Sequence, residues 1–244
     1  MDHISTLAFL VFFTAVLYSS VGHAGASGYI AAMAFMNVPA DVMKPTALLL
    51  NIAVGTIATI RFARAGFFSW HVFWPFAVTS IPFSFLGGAI HLPSYYYRVV
   101  VGGVLLFAAV RLLFSAIRKE QPEIKRAPMV AALLVGAAIG LLSGLTGTGG
   151  GIFLSPLLLL ARWADVRQCA GVSAAFVLTN SIAGLAGNLT SINQLPHQIS
   201  YLAIAAVCGG IIGSELGSRR LAPVALRYLL AAVLIIASGK MIFT

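Results

Sequence analysis

Two glycine-rich runs interrupt apolar sequence at matching places: Gly22-His23-Ala24-Gly25-Ala26-Ser27-Gly28 and Thr146-Gly147-Thr148-Gly149-Gly150-Gly151. Glycine weakens a helix by about 1 kcal/mol relative to alanine, so clusters of it inside apolar runs mark places where the backbone must open. Opened backbone directs unpaired N–H groups into a cavity, and the helix that restarts beyond presents its positive end there. Two such breaks meeting near mid-membrane would hold an anion. On this reading the amides around Gly22, Gly25, Gly149 and Gly150 are donors, and the hydroxyls of Ser27, Thr146 and Thr148 add to them. For either run alone, close helix packing through small residues is the competing explanation.

Three more residues belong to this constellation. His23 lies inside the first break, where an imidazole either carries a proton near neutral pH and donates to an anion, or simply hydrogen-bonds a carbonyl. Asn51 and Asn180 each stand four residues before a glycine, Gly55 and Gly184, in apolar segments. A buried asparagine needs a partner, which is either the broken backbone, a neighbouring helix or the substrate. Other polar residues read more plainly. Asp41 and Asp165 follow the short apolar pieces and suit helix caps. Glu215 beside Arg219 suits an ion pair at the membrane interface, Trp70-His71 and Tyr95-Tyr96-Tyr97 suit interfacial anchors, and Cys169 and Cys208 suit buried small residues.

The elements that must position these groups are membrane helices. Of 244 residues, 60% are hydrophobic and 9% charged, against roughly 45–50% and about 25% in soluble domains. The formal charge of +9 sits in short loops, which points to topology and excludes a nucleic-acid partner. Each half contains five apolar pieces: 4–21, 27–36, 46–60, 72–90 and 99–117, then 129–145, 152–161, 170–189, 199–216 and 228–243. The first run is expected to be retained rather than cleaved as a signal, because no basic region precedes it. A polar, proline-bearing linker at 118–126 separates repeat 1 (1–117) from repeat 2 (127–244).

Setting Gly25 against Gly149 also aligns Ala40-Asp41-Val42 with Ala164-Asp165-Val166, and further along Asn51 meets Asn180, Arg98 meets Arg227 and Arg111 meets Lys240. The second piece of each half is about ten residues, roughly 15 Å, half the hydrocarbon thickness. With the break before it, it makes a re-entrant hairpin or a broken span. A cytoplasmic linker leaves only Lys44, Arg98 and Lys240 outside, and the odd number of crossings per half inverts the second copy. The expected fold is therefore an all-α polytopic protein of two inverted-topology repeats, each a glycine-broken short helix pair plus three transmembrane helices. The long basic side chains at segment ends extend toward the interfaces.

Enzyme signatures are missing from the sequence. Gly147-Thr148-Gly149 gives G-x-G, but Ile152 stands where a dinucleotide motif needs its third glycine, and there is no Walker lysine or H-E-x-x-H.

The run Gly149-Gly150-Gly151-Ile152-Phe153-Leu154-Ser155-Pro156-Leu157, with Ala170-Gly171-Val172-Ser173 and Asn180-Ser181-Ile182-Ala183-Gly184, resembles the TauE/SafE family of membrane anion exporters. So does Lys44-Pro45-Thr46-Ala47-Leu48-Leu49-Leu50-Asn51 in the first half. The resemblance implies transport of sulfite, a sulfonate such as sulfoacetate, or a related sulfur oxyanion across a bacterial inner membrane, driven by an ion gradient. The expected partners are a small anion and the lipid bilayer, with no cofactor and no metal, and a homodimer is left open. A carrier for a cation or neutral solute, and a non-transporting assembly factor, are the competing functions.

Overall fold

A computed structural model of the chain describes residues 2–115, 124–189, 195, 199–219, 235, 238–239 and 242. Most of the linker, most of the loop 190–200 and most of the last apolar piece, with Arg227 and Lys240, lie outside the described residues, as does the side chain of Arg111. The described residues form nine helices: α1 (Asp2–Ser19), α2 (Ala26–Phe35), α3 (Ala40–Arg64), α4 (Trp70–Ala89), α5 (Ser94–Ser115), α6 (Met129–Thr146), α7 (Gly151–Leu160), α8 (Val166–Gly187) and α9 (Ile199–Arg219). Five of them, α3, α4, α6, α8 and α9, are long and apolar enough to cross a membrane.

The two short helices are built alike. Each begins on a glycine of positive φ, Gly25 at 145° and Gly150 at 80°, with no side chain capping it. Each ends on a left-handed residue, Asn37 at φ 57° and Arg162 at φ 60°. The final turn is closed the same way in both, by Val38 N–H to the Met33 carbonyl at 2.9 Å and by Trp163 N–H to the Leu158 carbonyl at 2.8 Å. The breaks repeat the same backbone too: Gly22 (80°) matches Gly147 (82°), Ala24 (57°) matches Gly149 (73°), and Gly25 matches Gly150. The backbone thus pairs the halves one residue later than the sequence register of Gly25 with Gly149. His23 corresponds to Thr148. A run of three glycines lets residue types slide by one, and only the dihedral angles choose.

Two contacts dominate the packing, α1 on α9 and α4 on α6, and each rests on a glycine stripe. A Cβ at Gly136, Gly140 or Gly144 would stand 2.4, 2.2 or 2.1 Å from the carbonyl oxygen of Phe76, Ser80 or Ser84. A Cβ at Gly209, Gly213 or Gly217 would stand equally close to the carbonyl oxygen of Phe12, Val16 or Ser20, at 2.4, 2.2 or 2.1 Å. Only glycine allows backbones to approach so closely, and this is how helices associate where lipid removes the hydrophobic drive. Exchanging the halves turns one contact into the other, and likewise α3 on α9 into α8 on α4.

At the centre α3 and α8 cross, with Gly55 against Leu178. The apolar window of α8 is 67% buried against 33% in α9, so α8 is interior and α9 peripheral. One apolar core surrounds α2 and a second surrounds α7, and Phe153 packs against both. The outward faces of α4 (Val78, Ile81, Phe85) and α9 (Ile204, Ile211, Ile212) are exposed hydrocarbon suited to lipid.

Several local expectations change. The third piece of each half starts earlier than hydropathy suggested, at Ala40 and Val166 rather than 46 and 170, so Lys44 lies buried inside α3 and not in a loop. Asp165 caps α8, accepting from the N–H groups of Arg167 and Gln168 at 2.8 Å each. Asp41 instead sits within the first turn of α3, where its charge meets the positive helix end. Tyr95 and Tyr96 are exposed, but Tyr97 turns inward, and its hydroxyl donates to the Thr146 carbonyl at 3.1 Å. Cys169 is buried as expected, whereas Cys208 is exposed. Glu215 pairs with Arg219 at 2.5 Å as expected, and also with Arg61 of α3.

Candidate functional site

The first break folds inward on itself. The N–H groups of Gly22, His23 and Gly25 donate to the carbonyls of Ser19, Tyr18 and His23 at 3.1, 2.9 and 2.6 Å. Tyr29 packs over Gly25 and donates to the Ala24 carbonyl at 3.0 Å, which Ser19 also reaches. Gly22 itself is a contact point, since a Cβ there would stand 2.1 Å from the Ala170 carbonyl oxygen of α8. Gly22, His23 and Gly25 therefore keep their amides for the chain, while those of Ala24, Ala26 and Ser27 find no main-chain acceptor among the described residues; what the first break adds is a side chain. The Nε2 of His23, which is half-buried, lies 2.5 Å from Ser155 Oγ on α7, and Ser155 Oγ lies 2.7 Å from Ser173 Oγ on α8. Ser27 is buried in the first turn of α2.

The second break is buried but returns fewer of its amides to the chain. The Gly147 N–H donates to the Ser143 carbonyl at 2.8 Å. Beyond it, among the described residues, the N–H groups of Gly149, Gly150, Gly151 and Ile152 find no main-chain acceptor. The last of these form the uncapped first turn of α7, where helix geometry leaves the donors unpaired. Thr146 donates to the Leu142 carbonyl at 2.7 Å and lies 2.9 Å from the Thr148 hydroxyl. The Thr146 proton being committed, Thr148 supplies the proton between the two. Both threonine hydroxyls thus close the end of α6 on itself.

The breaks meet. A Cβ at Gly151 would touch the His23 ring at 3.4 Å, and one at Gly149 would lie 3.1 Å from Asn51 Nδ2 and 3.1 Å from Ser181 Oγ. Gly149 and Gly151 thus pack first against Val177 of α8, with His23 from α1's broken end and Asn51 from α3 beside them. Asn51 is fully buried, with Nδ2 3.3 Å from Ser181 Oγ. Asn180, equally buried, turns back on its own helix, where Nδ2 donates to the Phe176 carbonyl at 3.0 Å. The Oδ1 atoms of both have no hydrogen-bond partner among the described residues.

Of the predicted site residues, the structure gathers His23, Asn51, Gly149 and Gly150 at one place. Gly22, Gly25, Thr146 and Thr148 hydrogen-bond within the chain, Ser27 is buried in α2, and Asn180 lies on the α4–α8 contact, where Ser84 donates to its carbonyl at 2.7 Å. Ser155, Ser173 and Ser181, and Lys44, lie in the motifs that carry the family resemblance, but sequence reasoning gave none of them a place in the site. Besides those motifs, a hydroxyl recurring on the inward face of a helix is the signal that could have found the serines.

The arrangement offers main-chain donors at a helix N-terminus, an imidazole and a carboxamide around one spot, which suits a small anion. A family model described as Sulfite exporter TauE/SafE matches residues 7–241. A probable membrane transporter protein of Sinorhizobium fredii is 42% identical over 240 residues, covering 97% of each chain. One of Xylella fastidiosa is 29% identical over 220 residues, covering 82% of this chain and 78% of the relative, and one of Methanocaldococcus jannaschii is 24% identical over 199 residues, covering 78% and 74%. No solved structure matches. Nearly the whole length, broken helices included, is thus shared with proteins of one kind, and the chain belongs to the TauE/SafE family of multi-pass membrane transporters.

Proposed function

We propose that this transporter carries a small sulfur-containing anion, sulfite or a sulfonate such as sulfoacetate, across the inner membrane by alternating access, with the linker 118–126 cytoplasmic. The observation that carries the reading is the row of amides from Gly149 to Ile152, without main-chain acceptors among the described residues, in a stretch whose ends approach Asn51 and His23. An oxyanion accepts from such amides without reorganising them, and the positive end of α7 favours its charge. The reciprocal packing of α1 with α9 and α4 with α6 supports two inverted copies rocking about the α3–α8 crossing. His23 couples a proton to the cycle, with Ser155 and Ser173 as the hydroxyls next in line.

The test is flux of labelled sulfite and sulfoacetate in proteoliposomes. Saturable flux of at least one is expected, and none of any oxyanion would overturn the reading. His23→Gln should flatten the dependence of flux on pH, and an unchanged profile would remove His23 from coupling. The buried, unpartnered Oδ1 atoms of Asn51 and Asn180 favour one second reading, a carrier for a cation or neutral solute. Competition separates the two: excess unlabelled anion should suppress flux only in an anion carrier.

A further inference from the structure

Lys44 is 7% exposed, and at the C-terminus of α4 its ammonium group donates to main-chain carbonyls, Gly88 at 2.8 Å, Ile90 at 3.2 Å and Gly87 at 3.3 Å. Among the described residues no carboxylate pairs with it: Asp41, three residues earlier, is exposed, and the ion pairs are those of Glu215. Carbonyl dipoles and the negative end of a helix stabilise an ammonium but carry no net charge. The interior therefore holds a positive charge with no counter-charge of its own among the described residues, an expensive arrangement away from water.

Its place is specific. A Cβ at Gly147 would stand 3.1 Å from the Lys44 carbonyl oxygen and 3.5 Å from Lys44 Cγ. Asn51 follows seven residues later on the same face of α3 and meets Gly149. Lys44 and Asn51 thus hold the two ends of the second break. The break itself contributes amides but no charged side chain. A lysine is suited to move between partners, having three donors on a flexible four-carbon stem.

We propose that Lys44 is the counter-charge of the transported oxyanion, held by the carbonyls ending α4 when the site is empty and turning onto the anion at the second break when it is loaded. This rests on the anion-carrier reading above and adds to it the residue that sets selectivity for negative charge.

The experiment is uptake of labelled sulfite into proteoliposomes holding the full chain, as wild type, Lys44→Gln and Lys44→Arg, with thermal unfolding of each ligand-free protein measured alongside. Gln can still donate to the α4 carbonyls but carries no charge. K44Q is expected to raise half-saturation for sulfite tenfold or more with little change in ligand-free melting temperature, and K44R to recover most of the affinity. Half-saturation in K44Q within twofold of wild type would overturn the proposal. So would a K44R variant as impaired as K44Q, which would assign the residue to packing. Should K44Q not be recovered folded, Lys44→Met takes its place with the same outcomes. Wild-type protein without saturable sulfite uptake would sink the anion reading and this proposal together, whereas wild-type uptake with unaffected variants would sink the proposal alone.

Discussion

The first break and the second have matching backbone dihedrals and short helices of equal length, yet they are finished differently. In the first, the N–H groups of Gly22, His23 and Gly25 return to the chain, Tyr29 covers Gly25, and Gly22 presses on Ala170. In the second, Gly147 N–H also returns to the chain, those from Gly149 to Ile152 find no main-chain acceptor among the described residues, and a Cβ at Gly147 would meet the Lys44 carbonyl at an easier 3.1 Å. Among the described residues both breaks leave amides without main-chain acceptors, Ala24, Ala26 and Ser27 in one and Gly149, Gly151 and Ile152 in the other; they differ in that His23 and Gly25 return their N–H groups to the chain where Thr148 and Gly150 do not. Shared backbone geometry therefore does not mean shared duty: what each turn does is decided by which donors its neighbours leave free.

The sharpest way to break this comparison is to add the same methyl to both. Gly22→Ala places a Cβ 2.1 Å from the Ala170 carbonyl oxygen at φ 80°, with rigid backbone opposite. A loss of about 4 kcal/mol or more, or failure to fold, is expected in thermal unfolding of the detergent-purified protein. Gly147→Ala has nearly the same φ, 82°, but its Cβ is 3.1 Å from the nearest atom, so the left-handed strain of about 1–2 kcal/mol should dominate. Equal losses would mean that the two breaks are equally constrained.

Ser155→Ala removes the hydroxyl that joins His23 to Ser173. Leaving buried polar groups unpaired costs about 1–3 kcal/mol, and the same variant should alter the pH profile of flux if the first break works through its imidazole. Normal stability with a normal profile would deny the chain of three any role. The smallest effect belongs to Ala24, which holds φ 57° where its counterpart is Gly149. Ala24→Gly relieves that strain and should raise stability by no more than about 1 kcal/mol, without change in flux, since the proposed anion sits on the second break.

The parts of the fold that sequence discloses are those governed by chain length and backbone chemistry. Ten-residue apolar pieces, glycine clusters and Asp165 led directly to α2, α7, both breaks and the cap of α8. What stayed hidden depends on three-dimensional neighbours. Lys44 looks like a loop residue because hydropathy counts its charge and cannot see three carbonyls ending a distant helix. Tyr97 shares a triplet with two exposed tyrosines, and only helix rotation turns it inward. Glycines 136, 140 and 144 read as ordinary membrane composition until the carbonyls of α4 are seen against them. The candidate site was half legible: His23, Asn51, Gly149 and Gly150 were visible, while the engagement of Thr146 and Thr148 with each other followed from side-chain geometry.

The most direct test of the central claim, that an oxyanion sits on the amides of the second break, is a structure of the protein with selenite, an anomalously scattering analogue of sulfite. The account predicts an anomalous peak within hydrogen-bond reach of the amides of residues 149–152, beside His23 and Asn51. A site saturated elsewhere in the molecule, with that position unfilled, would contradict it.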